Sequence, residues 1–101
     1  MSMTRDAGHQ ALDINIGRIL QMYLTGDLSA EVTRNNLSRF FNGAPEWRDD
    51  IDAWLTRRLD DMRDGHDANA VRRDMVRVAA AAERHDPHLA DMLHSGHEKA
   101  V

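Results

Sequence analysis

The side chains with the most chemical potential in this chain are its histidines, and four of the six fall near the C-terminus: His85, His88, His94 and His97. Neutral imidazole is the commonest metal ligand. On a helix, His88 and Asp91, and likewise Asp91 and His94, are three residues apart and share a face. His88, Asp91 and His94 therefore form the candidate metal set. The spacing departs from a His-Glu-x-x-His box, which puts two imidazoles one turn apart, and Pro87 and Gly96 separate His85 and His97 from that helix. The competing reading is a group of solvated histidines at a helix end. On that reading the expectation is no native metal site and no cofactor. Protonating all six would reverse the sign of the formal charge of −4 as pH falls through roughly 6.5, the unperturbed histidine value, which follows from composition alone.

Other chemistry is thinner. There is no cysteine, which excludes thiolate-zinc, iron-sulfur and thiol-redox centres. The serines are Ser2, Ser29, Ser38 and Ser95, and none sits in a Gly-x-Ser-x-Gly elbow. The carboxylate pairs Asp49-Asp50 and Asp60-Asp61 are adjacent in sequence, so on a helix they diverge by about 100° and read as solvated faces. The glycines are scattered and form no phosphate cradle. No catalytic set emerges, and the expectation is a protein that is not an enzyme.

A reading toward nucleic acid rests on one stretch, Val32-Thr33-Arg34-Asn35-Asn36-Leu37-Ser38-Arg39-Phe40-Phe41-Asn42-Gly43. It resembles the recognition-helix half of a repressor-type helix-turn-helix, a polar helix closed by an aromatic pair and Asn-Gly. The resemblance implies that Arg34, Asn35, Asn36, Ser38 and Arg39 would read base edges or hold phosphates. Upstream the pattern departs from the family: Glu31 stands at the tight-turn glycine and Asp27 at the small residue of the preceding helix. One continuous helix from Ser29 to Asn42 fits that stretch better. A net charge of −4 and a pI near 5.8 also oppose a bulk electrostatic grip on nucleic acid. A second basic group, Arg57, Arg58, Arg63, Arg72, Arg73 and Arg77, is interleaved with Asp60, Asp61, Asp64, Asp67 and Asp74, the pattern of a salt-bridged surface.

The elements that must position these residues are marked by four interruptions: Gly26-Asp27, Asn42-Gly43-Ala44-Pro45, Asp64-Gly65-His66-Asp67 and Asp86-Pro87. Between them apolar residues recur at three and four, the period of amphipathic helices. The first helix runs from about Ala7 to Thr25, the second starts at Asp27 or Ser29, the third follows Pro45, the fourth follows Asp67, and a short fifth runs from Pro87 to about Ser95-Gly96. Residues 1–6 and 97–101 are expected to fray. With 101 residues, one domain can bury roughly two-thirds of its unfolded surface without a disulfide or metal. The expected fold is all-α, a compact bundle of four main helices plus a short C-terminal one. Its expected core is Leu12, Ile16, Ile19, Leu20, Tyr23, Leu37, Phe40, Ile51, Trp54, Leu55, Leu59, Val71, Met75 and Val78. The run Ala79 to Ala82 reads either as helix propensity or as a close helix crossing.

Apolar residues off the best stripe, namely Ile14, Met22, Phe41 and Val76, are candidates for an exposed contact patch. The function they favour is a small interaction module, an adaptor, regulator or inhibitor that buries an apolar helix face rimmed by arginine and aspartate against another protein or a second copy. DNA binding through Arg34 to Arg39 is the alternative, and the histidine-rich metal site a third. With neither a long apolar span nor an apolar leader, the expected compartment is the cytoplasm, with no membrane partner.

Overall fold

Three of the expected helix ends carry the same backbone device. In a computed structural model of the chain, which describes the backbone of residues 3–99 and the side chains of residues 10–94, five α-helices follow one another and no strand occurs among the described residues. They are α1 (Met3–Leu24), α2 (Ala30–Ser38), α3 (Arg48–Arg63), α4 (Ala68–Glu83) and α5 (Leu89–Lys99). Two 3₁₀ turns, Arg39–Phe41 and Pro45–Trp47, form the corner between α2 and α3. The fold is the expected all-α bundle, although α2, with 9 residues, is shorter than α5, with 11. Its radius of gyration, 13.1 Å, matches the value of about 13 Å for a compact chain of this length.

At the end of α1, Gly26 takes φ +88° and its N–H bonds the Tyr23 carbonyl, while the Asp27 N–H reaches back to Met22. Gly65 (φ +102°) closes α3 in the same way through Met62 and Asp61. These are Schellman ends, in which a left-handed residue turns the last orphan carbonyls inward. The third copy, ending α4 through Ala82 and Ala81, places His85 at φ +54°, which is an uncommon conformation for a residue with a Cβ. Starts are capped as the sequence indicates. Ser29 Oγ accepts the Val32 N–H at 3.2 Å, and an Asp67 carboxylate oxygen accepts the Asn69 N–H at 3.0 Å.

Two boundaries differ from expectation. The helix foreseen from Ser29 to Asn42 gives way at Arg39 to a tighter 3₁₀ turn, as the chain leaves α2 and crosses onto α4. The last helix begins at Leu89 instead of Pro87, because Asp86 caps the turn, accepting the His88 N–H at 2.8 Å. It also continues beyond Gly96, since one interior glycine costs about 1 kcal/mol and does not by itself end a helix. Residues 3–6 and 97–99, expected to lie outside regular helix, belong to α1 and α5; the remainder of those two segments lies outside the described residues.

The core joins Ile16 and Leu20 of α1, Leu37 of α2, Ile51, Trp54, Leu55 and Leu59 of α3, Val71, Met75 and Val78 of α4, and Leu89 and Leu93 of α5. Leu12, Ile19, Tyr23 and Phe40, expected inside, are half-buried against it. Phe41 corrects the sequence reading. It is buried, edge-on to Trp54 with ring centroids 6.4 Å apart, and is no part of an exposed patch. The helical stripe of α2 stops being a guide once the backbone turns at three residues per turn and packs on a second helix.

That crossing explains the alanine run. Ala79, Ala81 and Ala82 are fully buried, and Gly43 lies so near the end of α4 that a Cβ there would sit 2.7 Å from Glu83 Cα and 2.9 Å from the Ala82 carbonyl oxygen. Gly17 is a different case. Over it passes the side chain of Arg72, whose Cδ would lie 3.1 Å from an added Cβ and can swing aside.

Opposite outcomes follow for these two glycines. Gly43→Ala should cost about 1–3 kcal/mol through overpacking against fixed backbone, roughly 4–8 °C in melting temperature per kcal/mol. Gly17→Ala should leave the melt unchanged or raise it by up to about 1 kcal/mol of helix propensity. Thermal denaturation followed by circular dichroism checks both.

Candidate functional site

Polar side chains that hold helices together must be separated from those left over for a partner. Arg58 is the main internal clamp, with its side chain only 15% exposed. It spans from α3 to α4, donating to Asp61 at 2.9 Å and Asp74 at 3.0 Å. Arg57, one turn before Asp61, donates to the Leu93 carbonyl of α5 at 3.4 Å. Arg72 of α4 lies 3.0 Å from Asp13 of α1, and Arg63 donates to the Tyr23 hydroxyl at 3.1 Å. Of the interleaved basic residues, Arg58 thus joins helices through the interleaved acids, while Arg63 and Arg72 reach a hydroxyl and a carboxylate of α1.

Arg73 and Arg77 belong to the same run but turn the other way. With Arg84 they lie four and seven residues apart along α4, on one face. They line a groove between α1 and α4 with Gln10, Asp13, Val76 and Ala80, enclosing about 470 Å³. Its floor is apolar, where Val76 packs against the core and Ala80 is buried. Its rim is cationic. Arg77 approaches Asp74 at 3.4 Å, Arg84 pairs with Asp86 at 2.9 Å, and Arg73 has no ion pair among the described residues. Helical spacing alone places the three arginines together; joining them to Gln10 and Asp13 requires knowing that α1 packs on α4, which the sequence does not state.

The expected contact residues do not form one patch. Val76 is in the groove, and Ile14 stands one turn along α1 from Gln10 on its outer surface, 59% exposed. Met22 lies two turns farther on, 38% exposed, and Leu24 and Val32, at 49% and 44%, extend the exposed apolar surface to the α1–α2 end. Phe41 is inside, as described above.

The segment resembling a recognition helix does not converge either. Arg34 lines a smaller hollow of about 200 Å³ between α2 and α3 with Ala30, Glu31, Thr56, Leu59 and Asp60, whose two carboxylates oppose a phosphate. Ser38 donates to the Asn35 carbonyl at 2.9 Å. Asn35 and Arg39 are exposed and Asn36 half-buried, but Arg34 and Arg39 are five residues apart and separated by the change of helix type. Of the candidate metal set, His88 Nδ1 and Asp91 Oδ2 are 3.8 Å apart, with His94 exposed one turn on. Among the described residues, no three histidine, aspartate or glutamate side chains come together as a metal site.

Asp86 ties the end of the groove to the start of α5. The His88 N–H, and then the Arg84 guanidinium, hold its carboxyl below the ordinary aspartate range. A depressed folded value means that the stabilisation is fully present above the unfolded value, roughly 3.9, and is lost as pH falls through the folded one. Melts of the native chain and of Asp86→Ala should therefore differ most at neutral pH and converge in acid; parallel curves from pH 7 to about pH 2 would exclude this linkage.

Comparison with protein-family models, with curated proteins and with solved structures returned no match to this chain.

Proposed function

We infer that this chain is a non-enzymatic interaction module of the cytoplasm, an adaptor, regulator or inhibitor that binds another protein through the outer surface of α1. The observation carrying this reading is α1 itself. A helix of 22 residues is roughly 33 Å long, close to the longest dimension of the molecule, 38 Å, and it carries apolar side chains around much of its circumference. Ile16 and Leu20 seal the core, so Ile14 and Met22 are surplus to internal packing. Surface apolar side chains that do no internal work, with charged neighbours such as Arg18, are what a transient interface is built from. None of the helices among the described residues is long and apolar enough to cross a membrane.

The test is affinity capture from the native host with and without nuclease, using the native chain, Ile14→Glu and Met22→Glu. Both positions are exposed, so the variants should melt within about 0.5 kcal/mol of the native chain. A partner protein retained through nuclease should bind at least about tenfold more weakly to one or both, equivalent to about 1.4 kcal/mol. A partner that ignores both substitutions, or recovery of nuclease-sensitive nucleic acid alone, would overturn the reading.

A further inference from the structure

We propose that the groove between α1 and α4 is a docking site for an acidic amphipathic helical segment of a partner protein. The proposal rests on the interaction-module reading and names the chemistry of the partner.

Charge complementarity chooses the occupant. Among the described residues the groove lining has three guanidinium groups, Arg73, Arg77 and Arg84, of which Arg77 and Arg84 also meet Asp74 and Asp86 at its edge, and one carboxylate, Asp13, which faces Arg72. This is a cationic strip on a chain whose formal charge is −4. A second copy, acidic overall, gains no net attraction at long range, and a small anion would leave the apolar floor of Val76 and Ala80 unused. A helix with aliphatic residues on one stripe and Asp or Glu beside it satisfies both halves of the site. The stripe fills the floor, as in helix-in-groove recognition, and the carboxylates meet the planar forks of the arginines.

The dimensions agree. From Arg73 to Arg84 the rise along α4 is roughly 16 Å, about three turns, so the matching carboxylates lie on one face of a three-turn segment. Arg73 is the natural first contact, because it has no ion pair among the described residues. Nucleic acid fits less well. A phosphate track has no use for an aliphatic floor.

Selection of a random-peptide display library on the full-length chain tests this, with each enriched peptide then titrated against Arg73→Glu, Arg73→Lys, Arg77→Glu and Ile14→Glu and against labelled duplex DNA as competitor. The expected result is enrichment of sequences that combine Asp or Glu with Leu, Ile or Phe at helical spacing. Their affinity should fall at least about tenfold in Arg73→Glu and Arg77→Glu, fall with added salt, and largely return in Arg73→Lys, which restores the charge. Circular dichroism melts confirm that each variant is folded, and Arg73→Glu, which breaks no ion pair among the described residues, keeps the test open if Arg77→Glu is unstable. Enriched peptides without acidic residues, binding indifferent to the arginine substitutions, displacement by DNA at lower concentration than by peptide, or no enrichment would each overturn the groove assignment. A host partner lost only in Ile14→Glu or Met22→Glu, and not in the arginine variants, would overturn this proposal and leave the interaction-module reading standing.

Discussion

Everything in this bundle depends on how closely the corner after α2 can approach α4. Gly43 meets the end of α4 at Ala82 and Glu83, with Ala44 buried beside it, and the approach leaves no room for a Cβ at position 43. With the corner seated, Phe41 is driven against Trp54 and α3 is brought under α4. Arg58 then finds Asp61 and Asp74 together within bonding distance. The contact is a shape constraint more than a strong attraction. Dispersion over a few alanine methyls is small, but a single methyl in the wrong place would separate elements whose larger side chains depend on that spacing.

The opposite arrangement holds for α1. There a long polar side chain, not a small one, mediates the approach, as Arg72 lies across Gly17 toward Asp13. One side of the bundle is therefore closed by rigid backbone contact and the other by a flexible strap over an apolar seam. The groove lies on the strap side, where Arg73 and Arg77, which tie α4 to no other helix among the described residues, are carried by the same helix that supplies the core with Val71, Met75 and Val78. The division of labour along α4 is angular: one face packs, an adjoining face pairs with α1 and α3, and a third faces outward.

Helix boundaries were legible because their signals are local. Ser29, Gly26, Gly65 and Asp67 each act on backbone groups within a few residues, so their types suffice to place them. Most of the core was legible for a related reason, since a 3.6-residue stripe such as Ile51, Trp54, Leu55 and Leu59 defines its own buried face. Phe40 and Phe41 were read in the wrong order because their burial is decided by α4 and Trp54, distant in sequence, after the helical period has changed. Leu89 and Leu93 were placed on a short helix, but their full burial depends on α5 folding back over α3 and α4. The groove was illegible as a whole. Arg73 and Arg77 looked like members of an alternating charge pattern, and the residues that separate their role from that of Arg58 and Arg72 lie on α1.

The left-handed His85 bears on how the chain can vary. Where α1 and α3 turn at glycine, α4 turns at a residue that pays steric energy of roughly 1–2 kcal/mol for the same geometry, directly before the carboxylate that caps the next turn. The joint is held by what flanks it, Asp86 on one side and the buried Leu89 on the other, not by its own preference. Sequence drift at position 85 is thereby channelled: glycine and asparagine are accessible, and β-branched residues are not.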